Sequence, residues 1–246
     1  MTGQCLNCSN AVRASYCENC GQKTTTHRFS LKHIFSHDFV HGVFHLDKGL
    51  LYTVRELLVR PGHSIREYIE GKRVRHFNYF TLILLILTLG VVLEQFTPVN
   101  PTDIFESVRS NEDIVAFMEM IREYPKVFVL ATIPLYAIFS WVFFRKAQLN
   151  FAEHLVLNSY RAAGELLFSL SFNVIMIFVH DLEVLKVVNI VLTIIVPVYS
   201  TIFYYQFFSA HSFRRAGLFF RSLFASLALN FIVMITTTVF LILTRQ

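Results

Sequence analysis

Long apolar runs constrain the fold of this chain more than any other feature of its sequence. A helix needs about 20 predominantly apolar residues to cross a hydrocarbon core of about 30 Å, and five stretches of the 246-residue chain meet this requirement. Only 16% of the residues are charged, against about 25% in soluble domains, which excludes an ordinary soluble protein. We therefore predict an all-α polytopic membrane protein with five transmembrane helices, at residues 77–96, 127–144, 162–179, 184–208 and 223–244.

The basic residues of the connecting segments predict how these helices are oriented. Lys and Arg are enriched in cytoplasmic loops, and here they cluster before the first run, between the second and third runs, and before the fifth. The segment 97–126 instead carries six acidic and three basic residues. We therefore expect the N-terminus in the cytoplasm and the C-terminus outside. Because residues 1–28 lack a long apolar core, we expect no cleavable signal peptide.

The cysteines form two Cys-x-x-Cys pairs near the N-terminus, Cys5 with Cys8 and Cys17 with Cys20. Four thiolates at this spacing suit a tetrahedral Zn²⁺ ion, and a head this small needs the metal in order to fold. We predict that residues 1–28 form a zinc ribbon with a structural Zn²⁺. A redox or disulfide role, disfavoured in the cytoplasm, and another metal or an iron–sulfur centre are the alternatives. With few basic residues in the head, we do not expect nucleic-acid binding.

A ladder of histidines follows the head. Ser30 is a suitable N-cap for a helix from Leu31 to about residue 45, on which a histidine recurs at every fourth position and therefore on one face. Three roles are open for this face: packing at the membrane interface, a second metal site, or pH sensing. The ladder consists of His33, His37, His41 and His45.

Two shorter helices and a basic cluster complete the segment before the first apolar run. The first helix is expected at about 50–60, stopped by Pro61 and Gly62. The second is expected to begin with a capping box of Ser64 and Glu67 and to end at Gly71. The basic cluster of Lys72, Arg73 and Arg75 is either a topogenic signal or a site for anionic lipid at the cytoplasmic leaflet. We therefore divide the chain into a ribbon head (1–28), cytoplasmic interfacial helices (29–76) and a transmembrane domain (77–246).

Polar side chains also enter the third apolar run. Asn150 and Glu153 form a capping-box pattern at the start of a long helix. Ionisable residues inside membrane helices are costly and are functional candidates. They form either a salt-bridge network that orients the helices or a site for a substrate, an ion or catalysis. The candidates are Glu153, His154, Asn158, Arg161 and Glu165.

Several stretches carry a resemblance to a known family. They include the two cysteine pairs with Gly21-Gln22-Lys23, the segment Asp47-Lys48-Gly49, and most specifically the run from Arg60-Pro61-Gly62 to Val74 with Phe77-Asn78. These residues resemble an uncharacterised family of bacterial multi-pass membrane proteins with an N-terminal zinc ribbon, domain of unknown function 3667. The resemblance implies the bacterial inner membrane as the location, and it supplies no activity.

The sequence contains no Gly-rich phosphate loop, no Gly-x-Ser-x-Gly motif and no paired intramembrane aspartates, so we lean against an enzyme. The favoured function is a non-enzymatic scaffold or interaction protein of the inner membrane. Its expected partners are the bilayer, with anionic lipid at the cytoplasmic leaflet, and a protein partner or a second copy of the chain. The alternative is a transporter or metal-handling protein that uses the histidine ladder and the intramembrane polar cluster.

Overall fold

The fold was analysed in a computed structural model, which describes residues 3–34, 49–99, 104, 120 and 123–228. A single helical turn, Leu31–His33, lies where the helix after Ser30 was predicted to begin, and the rest of that predicted helix falls outside the described residues. The predicted positions His37, His41 and His45 lie outside the described residues, as does most of the fifth apolar run.

The N-terminal head contains one small antiparallel sheet. Strands β1 (Gly3–Gln4) and β2 (Ala11–Val12) pair in a register that places Gly3 opposite Val12. An isolated bridge between Tyr16 and Lys23 flanks the second cysteine pair in the way that Gln4 and Ala11 flank the first. The head is therefore built from two similar halves.

Two short helices lie between the head and the long apolar helices, namely α1 (Gly49–Val59) and α2 (Pro61–Glu70). The predicted capping box of Ser64 and Glu67 is wrong, because α2 begins one turn earlier, at Pro61. Proline favours the first turn of a helix, where its missing N–H is not needed, and the N–H of Ser64 donates to the carbonyl of Arg60 at 3.0 Å. The predicted end of α2 is correct, since Gly71 follows the helix with a φ of 121°.

Long apolar helices make up the rest of the described chain. They are α3 (Tyr79–Glu94), α4 (Pro125–Phe143), α5 (Phe151–Phe178), α6 (Leu182–Phe208) and the described part of α7 (215–228). Three of them, α4, α5 and α6, are long and apolar enough to cross a membrane, whereas α3 is apolar but shorter. The predicted run at 162–179 is the second half of α5. The helix begins earlier because Asn150 and Glu153 form the predicted capping box, each accepting the other's backbone N–H.

Helix α5 lies at the centre of the described bundle and contacts α2, α3, α4 and α6. Helix α2 also packs across the C-terminal end of α6, and the backbones approach closely there. A Cβ atom at Gly62 would lie only 2.1 Å from the carbonyl oxygen of Phe203. The start of α5 lies against the linker that follows the head, through Arg28 and Glu153. These contacts bring the head, the short helices, the start of α5 and the end of α6 to one end of the bundle.

Candidate metal centre and buried polar network

Each cysteine pair lies in the same kind of tight turn. In the first, the N–H of Cys5 donates to the carbonyl of Asn10 and the N–H of Ser9 donates to the carbonyl of Cys5, both at 2.8 Å. The second repeats both bonds at the same length, from Cys17 to Gln22 and from Gly21 to Cys17. The residue after each pair has a positive φ, 61° at Ser9 and 74° at Gly21, a conformation that glycine adopts without strain.

The two turns bring all four sulfur atoms together. The Sγ atoms of Cys5 and Cys20 lie 3.5 Å apart, as do those of Cys8 and Cys17, and all four lie within 4.8 Å of one another. A tetrahedron with metal–sulfur bonds of about 2.3 Å has edges of about 3.8 Å. The four cysteines are therefore placed to hold one metal ion, and their geometry and donor set fit Zn²⁺.

Backbone groups in the turns act on the two less buried cysteines, Cys8 and Cys20. The hydrogen bond from Asn10, with a second from Asn19, lowers the pKa of Cys8 to about 6. The bond from Gln22 acts in the same direction on Cys20, but burial and the neighbouring sulfurs outweigh it and raise the pKa of Cys20 to about 11. The backbone and side-chain donors of the first turn therefore favour the thiolate form of Cys8, the form in which cysteine binds a metal.

The head is fixed to the helical body by the side chain of Gln22, which is buried. Its amide nitrogen donates to the carbonyl of Gly71 at 2.8 Å, and its amide oxygen accepts from the N–H of Arg73 at 3.2 Å. Leu6 packs against Gly71, so closely that a Cβ at Gly71 would lie 2.7 Å from the Cδ1 atom of Leu6. Gln22 therefore joins the metal-binding turn to the C-terminal end of α2.

The linker after the head is anchored in the body by Phe29. Its ring is buried in the main apolar core and stacks on Tyr68 at 5.7 Å between centroids. The guanidinium of Arg73 lies 3.8 Å from the centroid of the Phe29 ring. It also donates to the carbonyl of His27 at 3.0 Å. Arg73, a member of the predicted basic cluster, therefore holds the linker against the body.

An ion pair joins the same linker to α5. Arg28 donates to both carboxylate oxygens of Glu153, at 2.7 and 2.6 Å, and these hydrogen bonds raise the pKa of Arg28. The Arg28 side chain is 65% exposed and the Glu153 side chain is 2% exposed. Glu153 therefore forms the predicted cap of α5 and also holds the linker through Arg28.

The other four predicted polar residues form one buried network along α5. His154 Nδ1 and the amide nitrogen of Asn158 each lie 2.8 Å from the hydroxyl of Ser140 on α4. The amide oxygen of Asn158 accepts from the hydroxyl of Tyr204 and from Nε of Arg161. Sequence reasoning did not find Ser140, because a single serine in an apolar helix carries no distinguishing signal.

The network continues to an ion pair near the middle of α5, between the buried Arg161 and the partly buried Glu165. Arg161, fully buried, donates to Glu165, and the hydroxyl of Ser200 on α6 donates to the same carboxylate oxygen. The Arg161 guanidinium also lies 3.5 Å from the ring centroid of Tyr136. Among the described residues, Nη2 of Arg161 and the hydroxyl of Tyr199 are buried without a hydrogen-bond partner. Arg161 and Tyr199 can therefore each donate a further hydrogen bond.

The remaining predicted site residues are distributed as follows. Lys72 and Arg75 line a cleft between the head and the body. His33 closes the helical turn after Ser30, and the rest of the histidine ladder lies outside the described residues.

Comparison with known proteins agrees with the sequence resemblance for part of the chain. Residues 47–90 match the model of a family described as a protein of unknown function (DUF3667). The match covers α1, α2 and most of α3, the elements that carry the Arg60-Pro61-Gly62 motif. No curated protein and no solved structure matches the chain.

Proposed function

We propose that this protein is a non-enzymatic scaffold of the bacterial inner membrane whose cytoplasmic surface is a zinc ribbon fixed to interfacial helices. The observation that carries the proposal is the bridge made by Gln22 to Gly71 and Arg73. A ribbon on a free tether would be presented to partners independently of the membrane body. A ribbon fixed in this way forms one continuous surface with α1 and α2, and the whole surface is held in one orientation toward partners.

Zn²⁺ is the metal we assign to the four cysteines, Cys5, Cys8, Cys17 and Cys20. A tetrahedral four-sulfur site with no other donor suits Zn²⁺, and its role is structural because no ligand position is left open. The metal supplies the folding free energy that a sheet of two residues per strand cannot supply. The ribbon would then be folded and docked only when the metal is bound.

The membrane arrangement belongs to the same proposal. The chain crosses the bilayer five times, with the N-terminus in the cytoplasm and the C-terminus outside, in agreement with the distribution of Lys and Arg. Lys72 and Arg75, which are exposed, face the headgroups of the cytoplasmic leaflet. A protein partner, or a second copy of the chain, binds the surface formed by the ribbon and α1.

A matched pair of substitutions tests the scaffold. Gln22→Ala removes the docking contacts but leaves the backbone carbonyl that closes the second turn, so metal binding should be retained. Asn10 occupies the equivalent position in the first turn and is exposed, which makes Asn10→Ala the control. Zinc content and cross-linked partners are measured in native membranes.

We expect Gln22→Ala to retain one zinc per chain and to lose the cross-links formed by the ribbon, whereas Asn10→Ala retains both. Protease sensitivity of the segment 24–30 reports whether the ribbon has been released. A released ribbon with an unchanged set of cross-linked proteins would contradict the scaffold.

A second function, transport, is favoured by the ion pair of the buried Arg161 with the partly buried Glu165. Ionisable residues at this depth of a membrane helix are costly and often mark a transport pathway. The test is flux of metal ions and protons in proteoliposomes. Glu165→Gln should reduce that flux strongly, and Glu183→Gln, at the exposed start of α6, should not. Absence of flux for the wild-type protein would exclude this function.

A further inference from the structure

A cleft of about 540 Å³ separates the metal-binding turns from the helical body. A volume of this size is within the range of small-molecule sites, roughly 300–1,000 Å³. The wall on the ribbon side is formed by Asn7, Cys8, Asn19 and Cys20. The wall on the body side includes Tyr52, Arg60, Glu67, Lys72, Arg75 and His76. The two walls differ in charge.

The ribbon wall is negative when the metal is bound. Four thiolates around one divalent ion leave two negative charges in excess, and Cys8 and Cys20 are the two cysteines that line the cleft. Asn7 and Asn19 occupy equivalent positions in the two turns, and each supplies an amide oxygen that can accept hydrogen bonds. This wall therefore favours a cationic group with N–H donors.

The body wall is positive, because three cations on it are opposed by one carboxylate, Glu67. Arg60 is occupied by Glu56 at 2.5 Å and by Glu67 at 3.3 Å. Lys72 makes only a long contact of 3.8 Å to Glu67, and its side chain is 47% exposed. Arg75 is exposed, and its guanidinium lies 6.0 Å from the ring centroid of Tyr52. Lys72 and Arg75 are therefore the cations available to a bound anion.

The position of the cleft along the chain matches the depth of lipid phosphates. Arg75 lies two residues before Phe77, and α3 begins at Tyr79. If α3 enters the bilayer at its first residues, the body wall lies at the boundary between the hydrocarbon core and the headgroup region. A lipid phosphate can then reach Lys72 and Arg75 while its acyl chains remain in the bilayer.

We propose that this cleft binds the headgroup of a zwitterionic phospholipid of the phosphatidylethanolamine class, with the phosphate on Lys72 and Arg75 and the ammonium facing the cysteine wall. The inference rests on the proposed function for its metal and its membrane orientation, and it adds a specific ligand. Each wall attracts one end of the headgroup, so the charge separation of the ligand matches that of the cleft.

The same walls discriminate among headgroups. A primary ammonium donates hydrogen bonds to the Asn7 and Asn19 amide oxygens on the ribbon wall, whereas a choline headgroup has no N–H to donate. An anionic glycerol headgroup offers no positive charge to the cysteine wall and is repelled by it. The expected order of affinity is therefore ethanolamine, then choline, then glycerol.

The test uses the full-length, zinc-loaded protein in detergent, titrated with short-chain phosphatidylethanolamine, phosphatidylcholine and phosphatidylglycerol. Native mass spectrometry counts the lipids bound at each concentration. We expect phosphatidylethanolamine to bind at least about tenfold more tightly than phosphatidylglycerol, the factor expected for one hydrogen bond to a charged group. Equal affinity for the two lipids, or a preference for phosphatidylglycerol, would overturn the proposal.

Substitutions locate the binding. The double variant Lys72→Ala with Arg75→Ala should weaken phosphatidylethanolamine binding by about tenfold or more. The control, Arg13→Ala with Lys23→Ala, removes two cations that line a different cavity of the ribbon and should leave binding unchanged. Binding that is insensitive to the first pair, or equally sensitive to both pairs, would place the lipid elsewhere and refute the proposal.

Titration with soluble ligands shows whether the cleft binds a lipid or a free metabolite with the same headgroup chemistry. Phosphoethanolamine and inorganic phosphate are titrated in the same assay, and both should bind much more weakly than the lipid. Phosphoethanolamine binding as tight as that of the lipid would assign the cleft to a soluble ligand and overturn the lipid assignment. The two proposals fail separately. If the wild-type ribbon still forms its cross-links but the protein shows no lipid preference, only the lipid proposal is refuted. The scaffold is refuted instead if Gln22→Ala releases the ribbon without changing the cross-linked proteins.

Discussion

At the scale of single residues, Gly62 shows what the Arg60-Pro61-Gly62 motif does. The proline starts α2, and the glycine allows that helix to lie directly against the backbone of α6. The N–H of Gly62 donates to the side chain of Gln206 at 3.1 Å, so the first turn of α2 is also held by a polar contact. Any side chain at this position would have to displace backbone rather than a flexible side chain.

Gly62→Ala should therefore destabilise the protein, although alanine has the higher helix propensity. Overpacking of this kind costs about 1–3 kcal/mol, which outweighs the gain of roughly 1 kcal/mol in propensity. The measurement is thermal unfolding of the purified protein in detergent. Gly217→Ala is the control, because a Cβ there meets no atom within 4 Å. An unchanged melting temperature for Gly62→Ala would show that α2 does not pack on α6 as described.

His76 is the second residue that makes a prediction on its own. Burial lowers its pKa to about 4, from an ordinary value of 6.5. Its ring lies among Tyr52, Tyr68 and Tyr160, and its Nε2 atom lies 2.9 Å from the hydroxyl of Ser64. Glu56 and Glu67 favour the charged form and Arg60 opposes it, but burial is the largest effect.

Because the unfolded chain protonates this histidine before the folded protein does, stability should fall as the pH decreases from about 6.5 toward 4. The loss attributable to His76 is about 3 kcal/mol, because a shift of one pKa unit corresponds to about 1.4 kcal/mol. The measurement compares the pH dependence of the melting temperature for the wild type and for His76→Gln, which should be flatter in this range. His180→Gln, an exposed histidine before α6, should follow the wild type. If the melting temperature of His76→Gln depends on pH as steeply as that of the wild type, His76 is not the source of the pH dependence.

At the scale of elements, Asn150 at the start of α5 has two structural roles. Asn150 caps the helix, its side chain accepting the N–H of Glu153 at 2.9 Å, and its amide nitrogen donates to the carbonyl of Phe29 at 3.0 Å. The cap and the anchor of the linker therefore share one side chain. In Asn150→Ser the hydroxyl can still cap the helix, but the bond to the carbonyl of Phe29 is lost. In Asn150→Ala both interactions are lost.

Asn150→Ala should destabilise the protein by about 1 kcal/mol more than Asn150→Ser, the usual value of a helix N-cap. Hydrogen exchange of the first turn of α5 should increase in the alanine variant only. Exchange within the linker 27–30 should increase in both variants, because both lose the bond to Phe29. Equal exchange of the first turn in the two variants would mean that the cap does not fix the start of the helix.

The elements also show which parts of the fold the sequence predicted. Local signals were sufficient where one residue determines a boundary, as at Asn150 and Gly71. They failed at Ser64, where the capping-box pattern is present but Pro61 has already started the helix. Long-range contacts had no sequence signal at all. Gln22 and Arg28 are polar residues in a polar segment, and only the fold shows that one is buried against Gly71 and the other is paired with Glu153.

At the scale of the whole molecule, two contacts decide whether α3 crosses the bilayer, although it is only 16 residues long. The linker reaches the start of α5 through Arg28 and Glu153, and α2, just before α3, reaches the end of α6 through Gly62 and Gln206. The start of α3, the start of α5 and the end of α6 therefore lie on one side. If α4 spans the membrane, the chain must reach the other side before α4 begins, and only α3 and the segment after it can make that crossing.

This placement of the helix ends, together with the orientation proposed from the distribution of Lys and Arg, predicts a topology that reporter fusions can test. Alkaline phosphatase, active only outside the cytoplasm, should be inactive when fused after residue 148 or 212 and active when fused after residue 98 or 181. Fusion after residue 246 should also be active if the fifth apolar run crosses the bilayer as proposed. An inactive fusion after residue 98 would mean that α3 does not cross. It would then require α4 to end on the side opposite the ribbon, which the ion pair of Arg28 and Glu153 does not allow.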